Sequence, residues 1–161
     1  VVWRNHEMSS SVQSLEPLIR FPTTTVLQEY FIPIDSLIPF IKGMRSIAQL
    51  YEVNIINISI RYIPQNTESI LSYAQHESFS LVFYINIMNT ENGLLYAQKW
   101  TRKLIDLALT VNGTYYLPYQ LFGTEKQLNL AYPHLDTFKD LKQKYDPFNR
   151  FSNSLLQKYG I

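Results

Sequence analysis

Four segments of the chain have the alternation or composition typical of β-strands. Residues 54–63 and 78–87 alternate apolar with polar side chains, which predicts two strands that each have one buried face. Residues 23–32 are rich in β-branched and aromatic side chains and end before a proline, so they are predicted to form the first strand. Residues 114–119 are expected to form a short fourth strand or an extended segment, which Pro118 restricts to an edge.

Apolar residues spaced three and four apart predict two helices between these strands. The first stripe follows Ser36, the expected N-cap, and consists of Leu37, Ile41, Met44, Ala48 and Tyr51. The second stripe follows a turn predicted at Asn92-Gly93 and consists of Ala97, Trp100, Leu104, Leu107 and Val111. Asn112-Gly113 is typical of a left-handed C-cap, so the second helix is expected to end there.

The order β-α-β-β-α-β predicts an α+β fold of the ferredoxin-like type, an antiparallel sheet with both helices on one face. The opposite, open face is expected to carry the polar residues of the second and third strands, namely Asn57, Ser59, Arg61, Ser80, Tyr84 and Asn86. The first strand is ambiguous. Gln28 and Tyr30 are assigned to the open face, which leaves Glu29 on the side of the helices.

The chain divides into three predicted parts. Residues 1–22 lack a clean period and are expected to form a connecting arm, and residues 23–120 form the sheet domain. Residues 121–161 are predicted to be a helical tail. Its helices are expected to start after Thr124, to run over residues 135–145, and to include a last short turn near the end.

Composition excludes several classes of function. The formal net charge is +1, from 14 Lys+Arg against 13 Asp+Glu, which gives no electrostatic footprint for nucleic acid. There is no cysteine, so disulfides and thiolate metal ligands are excluded. No apolar run is long enough for an integral membrane segment. The chain begins at Val1 rather than Met, and we expect it to be a fragment or a processed product.

Candidate chemistry is sparse. The chain has no nucleophile elbow, zinc-protease motif, dinucleotide fingerprint or phosphate loop. His6, His76 and His134 are scattered and are expected at the surface, so no metal site is predicted. Arg61 stands mid-strand among isoleucines on the open face. It either reaches water or, if another domain covers that face, requires an anionic or oxygen-rich partner such as a substrate oxygen or a flavin edge.

The tail carries a longer pattern: Tyr132-Pro133, Phe138-Lys139-x-Leu141-Lys142-x-Lys144-Tyr145-Asp146-Pro147, Phe151-x-Asn153 and Lys158-Tyr159. This pattern resembles the C-terminus of FAD-linked oxidases of the vanillyl-alcohol-oxidase superfamily, close to the sugar-lactone oxidases and decaprenylphosphoryl-ribose oxidase. Two weaker matches are Glu29-Tyr30-Phe31-Ile32-Pro33 and Ser59-Ile60-Arg61. The resemblance spans roughly residues 5–161 and implies that the FAD-binding domain, with its glycine-rich loop, is a separate N-terminal part not present here. The helical tail, residues 121–161, is expected to pack on that domain.

The resemblance also implies roles for particular residues. The open face would cover the reactive edge of FAD, with Arg61 matching the arginine of a Glu-x-Arg pair and Ser59 replacing its glutamate. Tyr119 takes the position of a lysine near the flavin, and Tyr116 is the candidate catalytic tyrosine, although the general base could equally lie on the missing part. The expected substrate contacts are Arg61, Ser59, Asn57, Tyr84 and Gln28.

The sequence therefore predicts the cap, or substrate domain, of an FAD-dependent oxidoreductase acting on CH–OH groups of a sugar-like substrate. Hydride would pass to the flavin, and the fragment alone would be inactive. The expected partners are a small hydroxylated molecule and the N-terminal FAD-binding domain of the same protein. The alternative is a non-catalytic ferredoxin-like interaction module; an RNA-binding sheet is disfavoured by the absence of glycine-aromatic motifs. The expected location is cytoplasmic, with peripheral membrane attachment as an alternative.

Overall fold

A computed structural model describes residues 22–161, so the predicted arm lies almost entirely outside the described residues. It contains four strands and five α-helices. The strands are β1 (Thr23–Pro33), β2 (Asn54–Ile63), β3 (Ser78–Met88) and β4 (Thr114–Tyr115). The helices are α1 (Leu37–Leu50), α2 (Glu91–Thr110), α3 (Glu125–Ala131), α4 (Leu135–Tyr145) and α5 (Ser154–Tyr159), and a 3₁₀ turn (Ile34–Ser36) precedes α1.

The four strands form one sheet in the order β2-β3-β1-β4, and every neighbouring pair is antiparallel. This order and the element sequence are those of the predicted ferredoxin-like arrangement, so the α+β fold is confirmed. The two central strands, β1 and β3, pair over their full length from Thr23–Met88 to Pro33–Ser78. The register therefore decides which side chains of these strands share a face.

Helices α1 and α2 cover one face of the sheet. Phe40 and Met44 of α1 are buried there, as are Ala97, Trp100 and Leu104 of the predicted α2 stripe, whereas Leu107 and Val111 are only partly buried. The partner residues on the sheet form one cluster with them: Val26, Tyr30, Ile32, Leu81, Phe83, Ile85 and Ile87. Burying this apolar surface at about 25 cal/mol per Å² is the main stabilisation of the fold.

The predicted face assignment of β1 is wrong. Gln28 lies opposite Phe83, and Tyr30 packs against both Phe40 and Phe83, so Gln28 and Tyr30 point toward the helices. Glu29 consequently lies on the open face, opposite Val82. The physical reason is the cost of burial, since an ionised carboxylate is far more expensive to enclose than an amide or a phenol.

A β-bulge interrupts the predicted alternation of inward and outward side chains in β2. The pairing skips one residue between Ile55, opposite Ile85, and Asn57, opposite Tyr84. Ile55 therefore packs against the core in place of Ile56, while Ile58 keeps its predicted side. The side chain of Asn57 accepts a hydrogen bond from the backbone N–H of Ile58 at 2.8 Å, which satisfies a donor at the irregularity.

Two predicted boundaries also change. Helix α2 begins at Glu91 with Thr90 as N-cap, so the predicted Asn92-Gly93 turn is the first turn of the helix. At its end Asn112 adopts φ +56°, the left-handed conformation, and a Cβ on Gly113 would come within 2.8 Å of the Phe31 carbonyl oxygen. The fourth strand is shorter than predicted because the chain turns after Tyr115.

The tail packs on the same core as the sheet. Thr124 caps α3 in a capping box with Gln127, as predicted for the start of this helix. Leu128 is fully buried, and the hydroxyl of Tyr132 donates a hydrogen bond to the carbonyl of Tyr115. Helix α4 covers the predicted range, and α5 ends at Gly160 with φ +65°. The tail and the sheet domain therefore share one hydrophobic cluster within the described residues.

Candidate functional site

The open face of the sheet collects polar side chains from three strands. Arg61 lies opposite Ser80 and Ser59 opposite Val82, while Asn57 lies opposite Tyr84. The helices do not cover these positions: Arg61 and Asn57 are exposed, and Ser59 and Tyr84 are half-buried. Of the predicted substrate contacts, these four therefore share one surface, and Gln28 lies on the other side of the sheet with 3% of its surface exposed.

Glu29 adds a carboxylate to this open face. The hydroxyl of Ser80, which is fully buried, donates a hydrogen bond to Oε1 of Glu29 at 2.5 Å. A hydrogen bond to an ionised acceptor is stronger than one between neutral groups, so it fixes the orientation of the carboxylate. Ser80 was expected on this face, whereas Glu29 was not.

An aromatic group flanks the carboxylate where the chain leaves β4. The rings of Phe31 and Tyr73 stack with centroids 4.4 Å apart, and Tyr116 meets both rings edge-on at 6.0 and 5.7 Å. Tyr119 packs against Tyr116 with a centroid distance of 5.0 Å. The backbone N–H of Tyr116 also donates to the carbonyl of Glu29 at 2.9 Å, which attaches this segment to β1.

Tyr119 lies within electrostatic range of both charged residues of the face. Partial burial is the main reason that its pKa is raised, and the negative charge of Glu29 raises it further. The positive charge of Arg61 acts in the opposite direction. The phenol is therefore the neutral, hydrogen-donating form at physiological pH. Tyr119, Glu29 and Arg61 are thus brought to one region by three separate chain segments.

A groove extends from Tyr119 toward the tail. It has a volume of about 570 Å³ and is lined by Leu117, Leu121, Asn153 and Leu155 as well as by Tyr119. The side-chain oxygen of Gln120, the next residue, is buried and has no hydrogen-bond partner among the described residues. Gln120 does not line the groove, so this unpaired oxygen lies outside it.

Sequence reasoning missed Glu29, although a signal was present. From residue 26 onward, the even positions of β1 hold Val26, Tyr30 and Ile32, and only Gln28 interrupts that apolar row. Since an amide is cheaper to bury than a carboxylate, the row with Glu29 was the better candidate for the open side.

The arrangement suits a neutral ligand with several hydroxyl groups. Arg61 and the phenol of Tyr119 donate hydrogen bonds, and Glu29 accepts them. Among residues 22–161 no group of acidic or histidine side chains could hold a metal ion. Within the same residues His76 and His134 lie at exposed positions, as expected. None of the helices described in the structure is both long enough and apolar enough to cross a bilayer.

Comparison with known proteins identifies one family. The model of the family described as D-arabinono-1,4-lactone oxidase matches residues 4–159. A search of curated proteins finds no match. The family match covers nearly the whole chain, including the open sheet face and the tail.

Proposed function

Since this chain belongs to the D-arabinono-1,4-lactone oxidase family, we propose that it is the substrate-side domain of an FAD-dependent oxidoreductase that oxidises a CH–OH group of a sugar-like lactone. The family implies oxidoreductase activity for the full-length protein. The observation that supports a substrate role for this part is the grouping of Arg61, Glu29 and Tyr119 at the sheet face that α1 and α2 do not cover.

Arg61 is the proposed principal substrate contact. It makes no ion pair or hydrogen bond with another described residue, so none of its five N–H donors is used within residues 22–161. Ser59 is its neighbour on the same face of β2 and Ser80 lies opposite it on β3, while Asn57 and Tyr84 face each other farther along the two strands. Of these, Asn57 already uses its side-chain oxygen at the bulge and has only its amide nitrogen to offer.

FAD is the cofactor that the family implies, and the described residues fit only one part of it. The glycines at positions 43, 93, 113, 123 and 160 are isolated, so they form no loop for a pyrophosphate. Tyr119, whose neutral phenol can donate a hydrogen bond, is the described residue suited to the flavin ring. When bound, FAD supplies the acceptor for the hydride that leaves the carbinol carbon.

The proton of the oxidised hydroxyl also needs an acceptor. We propose that Tyr116 relays this proton: its phenol oxygen accepts the proton of the carbinol while its own proton passes to water, and its hydroxyl makes no hydrogen bond to a described residue. Tyr119 is the proposed flavin contact, where its phenol donates a hydrogen bond without adding positive charge.

The substitution Arg61→Ala in the full-length protein tests this proposal. Losing one charge-assisted contact costs about 1.5–3 kcal/mol, which is about a 10- to 150-fold decrease in kcat/KM for D-arabinono-1,4-lactone. The flavin content, measured from visible absorbance, should not change because Arg61 is proposed to face substrate.

The matched control is Arg45→Ala, an exposed arginine of α1 on the opposite side of the molecule. It removes the same charge and should leave kcat/KM within about twofold of the parent. Full activity of the Arg61→Ala protein would reject the substrate role of the open face.

A further inference from the structure

Only one of the two oxygen atoms of the Glu29 carboxylate has a hydrogen-bond partner among the described residues. Its Oε1 atom accepts from the buried hydroxyl of Ser80, and its Oε2 atom makes no hydrogen bond to a described residue. A carboxylate has about four lone-pair sites, so this arrangement leaves a directed acceptor on the open face. Because Glu29 is half-buried, a ligand hydrogen bond to its second oxygen is stronger than one to a fully solvated carboxylate.

Glu29 and Arg61 do not neutralise each other. They stand on β1 and β2 with β3 between them, and Arg61 is two residues beyond Ser59, which lies in line with Glu29, so their backbones are roughly 12 Å apart. No ion pair joins them in the described part of the chain. The open face therefore presents an acceptor at one side of β3 and a donor at the other, with Tyr119 near both.

We propose that Glu29 is a specificity-determining residue that accepts hydrogen bonds from hydroxyl groups of the substrate, and that Ser80 is the positioning residue that orients its carboxylate. This inference rests on the proposed function and names the chemistry that the site selects. The preferred ligand is a neutral polyhydroxylated molecule that lies across β3 with a hydroxyl toward Glu29 and an acceptor oxygen toward Arg61.

In this proposal, the charge of Glu29 selects a ring-closed lactone over the hydroxy acid formed by opening the ring. A lactone offers hydroxyl donors and carries no charge, so it satisfies the free carboxylate oxygen. The hydroxy acid brings a second carboxylate to the same face, and like charges a few ångströms apart repel in a partly desolvated site. Arg61 attracts either form, so the discrimination depends on Glu29.

The test measures how much the loss of a single substrate hydroxyl lowers kcat/KM or binding, with Glu29 present and with Glu29 replaced. The full-length protein and its Glu29→Gln and Glu29→Ala variants are assayed with D-arabinono-1,4-lactone and with a series of analogues that each lack one hydroxyl. Analogues that are not oxidised are measured as competitive inhibitors. In the parent protein, loss of the contacted hydroxyl should weaken kcat/KM or binding about tenfold or more. In both variants, removing the same substrate hydroxyl should lower kcat/KM or binding less than about threefold.

Two further variants separate this role from a structural one. Ser80→Ala keeps the carboxylate but releases it, so discrimination at that one hydroxyl should fall while the flavin absorbance stays unchanged. Glu68→Gln removes an equivalent charge from an exposed loop position and should leave the discrimination as in the parent. Thermal unfolding of each variant verifies that it is folded.

The outcomes distinguish the two proposals. If the parent protein oxidises the lactone but the Glu29 variants discriminate between all analogues as the parent does, the role of Glu29 is rejected and the proposed function stands. If the parent protein neither oxidises nor binds the lactone, the proposed function fails, and the inference about Glu29 fails with it. Selective loss of discrimination at one hydroxyl supports both.

Discussion

Replacement of Gln28 by methionine tests the corrected face of β1. The side chain of Gln28 is enclosed between the sheet and the helices with 3% of its surface exposed, and it lies opposite Phe83. Its amide nitrogen is buried without a hydrogen-bond partner among the described residues. Methionine has a similar length and no donor, so Gln28→Met removes the unsatisfied group and keeps the volume filled.

The expected effect is stabilisation. A buried donor that lacks a partner costs about 1–3 kcal/mol of folding free energy, and Gln28→Met recovers part of this cost. For a chain of this size 1 kcal/mol corresponds to about 2–4 °C in unfolding temperature, so we expect an increase of about 2–10 °C. Because Gln28 points away from the open face, kcat/KM should remain within about twofold of the parent.

Thermal unfolding followed by circular dichroism measures this effect, together with steady-state activity of the full-length protein. Gln28→Glu is the opposite perturbation and should destabilise strongly, since it encloses a carboxylate without a partner. Gln49→Met, at an exposed position of α1, controls for the change of residue type. A lower unfolding temperature for Gln28→Met, or a large loss of activity at unchanged stability, would refute the assignment of Gln28 to the helix-covered side.

Two other substitutions test the tail. Gln127→Ala removes the side chain that completes the capping box of α3 and donates a hydrogen bond to Asp106 at 2.6 Å. We expect the free energy of unfolding, measured with urea, to fall by about 2–4 kcal/mol. An unchanged unfolding midpoint would show that this contact does not stabilise α3. The pKa of Asp146 is lowered mainly by the hydrogen bond from Lys142 and next by the backbone N–H of Phe151. A carboxyl with a lowered folded-state pKa stabilises the fold above its unfolded-state value, near about 4, and this stabilisation is lost as the pH falls through the folded-state pKa. Asp146→Asn should therefore flatten the decrease in unfolding temperature below about pH 4, and an unaltered acid limb would contradict the role of this carboxyl.

The fold was predictable because each helix and strand is specified by residues that are close together in the sequence. The alternation in residues 54–63 and 78–87 and the helical stripe after Ser36 each depend on neighbours in sequence, and these elements appear within one or two residues of their predicted bounds. The tail helix Leu135–Tyr145 ends before Asp146-Pro147 for the same reason, since proline restricts the residue before it.

The candidate site was predictable only in part. Strands β2 and β3 have one clearly apolar face, so Ser59, Arg61 and Tyr84 could be placed on the open side from alternation alone. Strand β1 carries apolar side chains on both faces, because Phe31 on the open side is covered by Tyr73. Alternation is then uninformative, and Gln28 was placed on the open side in error.

The sequence by itself determined the secondary structure, the ferredoxin-like order and the polar character of one sheet face. Only the tertiary structure decided the register between β1 and β3, which places Glu29 beside Ser80 on the same face as Arg61. The reason is that pairing between strands more than fifty residues apart depends on packing against the helices and on the cost of burying a charge, and no local pattern records either.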